Sequence, residues 1–188
     1  MKHVGTIELE TKRLVLRKIR VSDANDMYNN WASDPEVARH VTWQLHKNVK
    51  ETEALLKMWE KDYENQDCYR WLIVVKDGNM PIGTIDVTRK INELEIAEVG
   101  YCISRKYWGQ GIATEALQRV IEFLFEDIGY NRIQAEHVLA NPASGKVMQK
   151  CNMKFEGIIR DGNRLNTGNL CDVALYSILK KEFVKGEK

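Results

Sequence analysis

Glu98-Val99-Gly100-Tyr101-Cys102-Ile103, followed after three residues by Tyr107-Trp108-Gly109-Gln110-Gly111-Ile112-Ala113, is the stretch on which the fold turns. An apolar-rich run ends and a loop with two glycines follows. An amphipathic segment then begins at once, with Ala113, Ala116, Leu117, Val120, Ile121 and Leu124 along one side. The pattern predicts a strand over 95–103, a turn, and a helix over 111–128. A helix start carries backbone N–H groups with no partner inside the helix and a partial positive charge, so it suits an anion such as phosphate. Gly109 and Gly111 allow the backbone to approach such a group closely, although a tight turn or close packing uses glycines in the same way. Rival phosphate loops do not fit. No Gly-Lys-Ser/Thr is present, and Thr114 stands where a dinucleotide fingerprint needs its third glycine.

Outward from this stretch, residues 13–19 read as a first strand. Ser22 reads as the cap of a helix with Ala24, Met27, Tyr28 and Trp31 on one face, broken at Asp34–Pro35. Asn48 and Glu51 resemble a capping box opening a second helix, whose Leu55, Met58 and Trp59 form an apolar stripe expected in the core. Strands follow at 69–75 and 81–87 around an Asp77–Gly78 turn, then at 132–139. A short helix over 144–151 and a closing pair of strands, 155–160 and 170–179, complete the chain. One helix crossing between strands, amid hairpins, implies an α/β fold with a mixed sheet.

Composition narrows the partners. The 188 residues suit a single domain, expected over 1–188 with its core about 10–180. A net charge of +1 gives no support for a nucleic-acid or membrane partner. The basic residues Lys12, Arg13, Arg17, Lys18 and Arg20 alternate with Leu14, Leu16 and Ile19, which reads as the wet face of a strand rather than a phosphate patch. Met1 to Glu10 lacks an apolar signal core, and Cys68, Cys102, Cys151 and Cys171 form no Cys-x-x-Cys pair. A cytoplasmic protein with buried thiols is expected. The histidines have no metal-ligand spacing, so no metal is expected. Monomer and homodimer both remain open.

Trp108-Gly109-Gln110-Gly111-Ile112-Ala113 resembles the acetyl-CoA pyrophosphate loop of the GNAT superfamily, Gln/Arg-x-x-Gly-x-Gly/Ala, with Trp108 in place of the usual first residue. Two further segments resemble the Rim-type branch, which acetylates N-terminal alanines of ribosomal proteins. One is Thr11-Lys12-Arg13-Leu14-Val15-Leu16-Arg17 with Ser33-Asp34-Pro35-Glu36-Val37. The other is Asn141-Pro142-Ala143-Ser144, Val147 and Lys150, then Phe155-Glu156-Gly157. The similarity runs from about Glu10 to Lys180. It implies a mixed, mostly antiparallel sheet flanked by helices, with acetyl-CoA as cosubstrate in a V-shaped opening between 95–103 and 132–139. By the same resemblance, pantetheine amides pair with the backbone of Tyr101, Cys102 and Ile103. Trp108, Gly109, Gln110, Gly111, Ile112, Ala113 and Thr114 surround the pyrophosphate. Asn141 holds the pantetheine or orders a water, and Ser144 faces the thioester sulfur. The tyrosine that many relatives place four residues after Ser144 is Met148 here, so Ser144 becomes the candidate acid; its other reading is a helix cap. The usual Gly-Phe near this helix is Asn152-Met153.

The acceptor is expected to be an amine, either a protein N-terminus or a small molecule, attacking within a ternary complex. A non-catalytic acetyl-CoA-binding module is the alternative. Only a neutral amine attacks a thioester, and an α-amine, with pKa about 8, is partly neutral at pH 7 whereas a lysine, near 10.4, is not. Glu98, on the strand that lines the opening, is the candidate base, acting through water, or else a structural carboxylate. Asp86 and Asp172 are further possibilities. Asn163 stands where some Rim-type relatives carry Glu. His137 reads as a packed core histidine.

Overall fold

The computed structural model describes residues 1–183; the last five residues of the expected domain, 184–188, lie outside the described residues. Eight strands form one sheet: β1 (Leu9–Glu10), β2 (Leu14–Arg17), β3 (Arg70–Val75), β4 (Met80–Ile91), β5 (Ile96–Ile103), β6 (Arg132–Val138), β7 (Lys154–Arg164) and β8 (Leu170–Leu179). Their spatial order is β1-β2-β3-β4-β5-β6-β8-β7. Every neighbouring pair is antiparallel except β5 with β6, which is parallel and requires a crossover. That crossover is α4 (Ile112–Phe123), which continues as a wider π-type turn over Leu124–Ile128 and ends on Gly129 at φ 91°.

Alternation along the strands divides the apolar residues between two layers. Ala97, Val99 and Ile103 of β5, with Ile133 and Ala135 of β6, pack under α4 and α5 (Pro142–Lys150), together with Tyr69, Trp71, Phe123 and Phe125. On the other face Leu72 and Val74 meet Ile19, Met27, Trp31 and Leu56. Ile19 lies just after β2, and the other three come from α1 (Ala24–Met27), the π turn Tyr28–Ala32 and α3 (Val49–Asp62), with α2 (Pro35–Ala38) beside them.

Three local expectations are corrected. Ser22 does not cap the first helix. A single 3₁₀ turn over Val21–Asp23 precedes it, and the Asp23 carboxylate accepts from Arg20 N at 2.8 Å while it pairs with Arg17. In α3 Thr52 and Leu56 are buried and Leu55 and Trp59 pack against the core as expected, but Met58, 64% exposed, lies off that face. Asn48 caps α3 by accepting from Glu51 N, but the Glu51 carboxylate accepts from Lys47 N and from the Asn48 side-chain amide rather than from Asn48 N. The remaining strands and the Asp77–Gly78 turn fall where alternation and turn chemistry put them, with β4 and β7 running longer than expected. Asn152, at φ 59°, takes the left-handed position after α5 that suits glycine, and Met153 is buried behind it.

Candidate active site

The sheet opens at its parallel seam. β5 and β6 pair at only three places, Ile96↔Arg132, Ala97↔Ile133 and Glu98↔Gln134. Beyond these, β5 stays bonded to β4 as far as Ile103↔Gly83, and β6 stays bonded to β8 as far as Val138↔Val173. Residues 99–103 and 135–138 therefore face each other across a wedge with ladder groups unspent. At its mouth the Trp108 indole donates to Ile103 O at 2.7 Å.

The loop ahead of α4 is shaped by two left-handed glycines, Gly109 at φ 73° and Gly111 at φ 76°, the latter serving as the N-cap. Among the described residues no turn or loop bond uses the N–H groups of residues 109–114; the first is Glu115 N to Gly111 O, 3.0 Å. A run of outward N–H groups at a helix start forms a concavity for an anion. The Gln110 side chain is spent on Lys106 O. Arg13 braces the loop from outside. It donates from Nη1 to Gln110 O at 2.9 Å and pairs through Nε with Glu115 Oε2 at 2.6 Å. Glu115 also accepts from Thr11 Oγ1 and Arg13 N. Burial works to raise the Glu115 carboxyl, but these donors outweigh it and hold it below its ordinary range. Arg13 is thus no mere wet-face residue, and its alternation with apolar neighbours gave no sign of this task.

On the helical side of the wedge, α5 starts with Pro142 at its first position behind Asn141, whose side chain makes no cap bond. Ser144 N donates to Asn141 O, so Ser144 lies in the first turn and is not the cap. Its Oγ is 2.8 Å from Tyr101 Oη, and Tyr101 Oη also donates to Ser144 O at 3.0 Å. Burial pushes the Tyr101 phenol far above its usual range despite the bond to Ser144. Sequence reasoning used only the backbone of Tyr101. The odd-numbered alternation of 97, 99, 101 and 103 was the signal that its side chain shares a face with α5. Gly145 lets this helix sit on β6, because a Cβ there would stand 2.5 Å from His137 Nε2. His137 packs against Tyr176, as a core histidine would. Met148 is buried in the core, away from any reaction.

Carboxylates gather on the opposite face. Glu98 Oε2 accepts from Gln134 Nε2 at 2.8 Å, at the last paired position before the strands part. Glu136, two residues further along β6, accepts from Asn163 Nδ2 at 2.7 Å. Burial and the neighbouring Glu98 charge raise its carboxyl. Asp86 lies opposite Gly100 and 3.6 Å from Arg70 Nε, and burial pushes it up to about 6. Asp172, by contrast, accepts from Asp161 N inside the β7–β8 hairpin. Glu136 was missed because only pairing across the seam brings it beside Glu98. A rim encloses this face. Asn166 Nδ2 donates to Ala38 O and Trp43 O, Asn166 N donates to Val41 O, and Gln44 Nε2 donates to Asn166 O. The segment after α2 is thereby tied to the β7–β8 turn. No group of His, Cys, Asp and Glu among the described residues is arranged to hold a metal, and none of their helices is long and apolar enough to cross a membrane.

Comparison with known proteins gives this arrangement a family. The acetyltransferase (GNAT) domain profile matches residues 13–154. The chain is similar to the N-acetyltransferase p20 of Bacillus licheniformis, itself uncharacterized, at 33% identity over 93% of this chain and 97% of that protein. Its fold is similar to the ribosomal-protein-S5-alanine acetyltransferase of Vibrio fischeri, with TM-score 0.81 and 21% identity over 95% of this chain and 100% of that one. The ribosomal L7/L12 α-N-protein acetyltransferase RimL, solved with coenzyme A, gives TM-score 0.82 and 19% identity over 92% and 98%. A parallel seam that opens beside a glycine-shaped helix start, with a matching domain profile across most of the chain, makes this protein a member of the GNAT acetyltransferase family and an N-acetyltransferase.

Proposed function

We propose that the protein transfers the acetyl group of acetyl-CoA to the α-amine of a polypeptide N-terminus, with ribosomal proteins as the first acceptors to test. The wedge between β5 and β6 supports the donor half. Beyond Glu98, β5 has no strand on its β6 side, and the outward backbone of Tyr101 suits an amide-bearing arm, while the N–H groups of 109–114 suit a pyrophosphate. Asn141, with its side chain unbonded, is positioned to hold that arm or a water. Acetyl-CoA supplies a thioester, and the chain supplies orientation and proton handling. Ser144 is the acid at the leaving sulfur, and no step needs a metal.

The acceptor half rests on one observation. Glu98 is held by Gln134 where the strands part, on the face closed by the Asn166 rim. A carboxylate acting through water asks little of an α-amine, which supplies its own neutral form near pH 8. With an N-terminal peptide, kcat/KM rises toward pH 8 and levels, and Glu98→Gln costs little at pH 8.5 but more at pH 6.5. Thiol release measured at both pH values with one peptide and one polyamine tests this. Turnover of the polyamine alone overturns the N-terminal acceptor. The gathering of Asp86, Glu98 and Glu136 on one face favours that second reading, a small polycationic amine.

A further inference from the structure

A leaving thiolate needs a proton, and Ser144 alone is a poor source. An aliphatic alcohol is a far weaker acid than a thiol, so Ser144 can release its proton only if another group replaces it at once. In this chain a phenol touches the serine. Tyr101 Oη is 2.8 Å from Ser144 Oγ, at the point where β5 has left β6 and has no strand beside it. The position that relatives fill with tyrosine is occupied by buried Met148, which has no proton to give. We propose that Tyr101 acts through Ser144 as the reservoir of that proton, the two hydroxyls forming a relay from strand to helix to sulfur. The proposal rests on the acetyl transfer above and adds a residue to it.

The balance is as follows. The amine nitrogen bonds to the acetyl carbon and the C–S bond breaks, leaving its electron pair on sulfur. Sulfur takes the Ser144 hydroxyl proton, and Ser144 Oγ takes the proton of Tyr101 Oη. The nitrogen loses its proton to the Glu98 side of the sheet, and Tyr101 regains one from water, so the protein is unchanged. Two features suit Tyr101 to this task. Burial keeps its phenol protonated throughout the physiological range, so the reservoir is always full. Its one proton has two acceptors within reach, Ser144 O at 3.0 Å and Ser144 Oγ at 2.8 Å, and passes to Oγ as Ser144 gives up its own. The nearest other titratable group is the Cys151 thiol, which burial also keeps protonated, and it bonds to Thr114 O rather than to the pair.

Tyr101→Phe removes one oxygen and leaves the packing. The relay predicts a fall in kcat of about tenfold or more, within the range of general acids, with acetyl-CoA affinity changed less than about twofold. Ser144→Ala should match it, and the double variant should be no slower than the slower single, because the two act as one unit. Thermal unfolding of each variant checks that the fold persists. Replacing Tyr101 with 3-fluorotyrosine, nearly isosteric and more acidic, should preserve or raise kcat and lower the pH at which activity is lost on the alkaline side. Normal kcat in Tyr101→Phe, losses that multiply in the double variant, or a fluorotyrosine profile identical to the parent's overturns the relay. A parent protein that releases no thiol with any amine overturns the acetyl transfer itself, which separates the two failures.

Discussion

The two ends of the wedge are built in opposite ways. At the α4 end the groups on offer are backbone N–H atoms, and the residues that shape them, Gly109 and Gly111, lie two places apart in sequence. Arg13 and Glu115 then clamp the turn from outside. At the rim, side chains satisfy backbone carbonyls across great chain distances, with Asn166 reaching Ala38, 128 residues away. The first arrangement is geometry written into a short segment. The second exists only once the whole sheet has formed. On the proposed function, donor recognition is local, whereas acceptor recognition is assembled at long range from α2 and the β7–β8 turn.

The strongest attack on this contrast is Gly111→Val. A branched residue at φ 76° is strained, and its side chain stands where an anion approaches. Acetyl-CoA affinity should fall at least about tenfold, roughly 1.4 kcal/mol. Calorimetry on folded protein measures it, and unchanged affinity removes the loop from the donor site.

A weaker effect, confined to the other end, is expected from Asn166→Ala. Losing two donated bonds to Ala38 O and Trp43 O, at about 1 kcal/mol net apiece, should loosen the rim and raise the acceptor KM by about five- to thirtyfold. The dissociation constant for acetyl-CoA should stay put. If both constants rise together, the ends are not independent.

A third test reads stability rather than binding, at Asp86, opposite Gly100. Burial pushes its folded pKa up to about 6, above the ordinary aspartate value of 3.8 that it takes in the unfolded chain. Between those values the folded protein binds more protons than the unfolded one, so stability declines as pH rises from about 4 to 6 and is flat above. Asp86→Asn should flatten the slope in that window, as read by denaturant unfolding at several pH values. A slope identical to the parent's would place its source elsewhere.

The same contrast explains what was legible from sequence. Alternation over 70–75 and 170–179, the Asp77–Gly78 turn and the helix after Gly111 each depend on residues a few places apart, and the chain writes them plainly. Glu98 and Ser144 were legible as candidates because motifs surround them. Glu136, the Tyr101 hydroxyl and Asn166 were not, since each gains its meaning from a partner on another element. The Arg13 clamp was hidden differently. A charged residue at the start of an amphipathic strand looks the same whether it meets water or a loop. In α3 the error was angular. Each residue along a helix turns about 100°, so Met58 stands about 100° from Trp59 and faces outward while Trp59 and Leu55 meet the core.

The parted strands also have a meaning for solubility. A strand with unbonded N–H and C=O groups is an edge, and exposed edges recruit other chains into aggregates. β5 and β6 place two such edges in the middle of the sheet, one facing the other, with α4 and α5 on one side. A foreign strand would need to enter end-on between them. A slender molecule with amide groups along its length meets no such barrier, so the protein keeps the adhesiveness of a sheet edge for a guest of that shape and denies it to its neighbours.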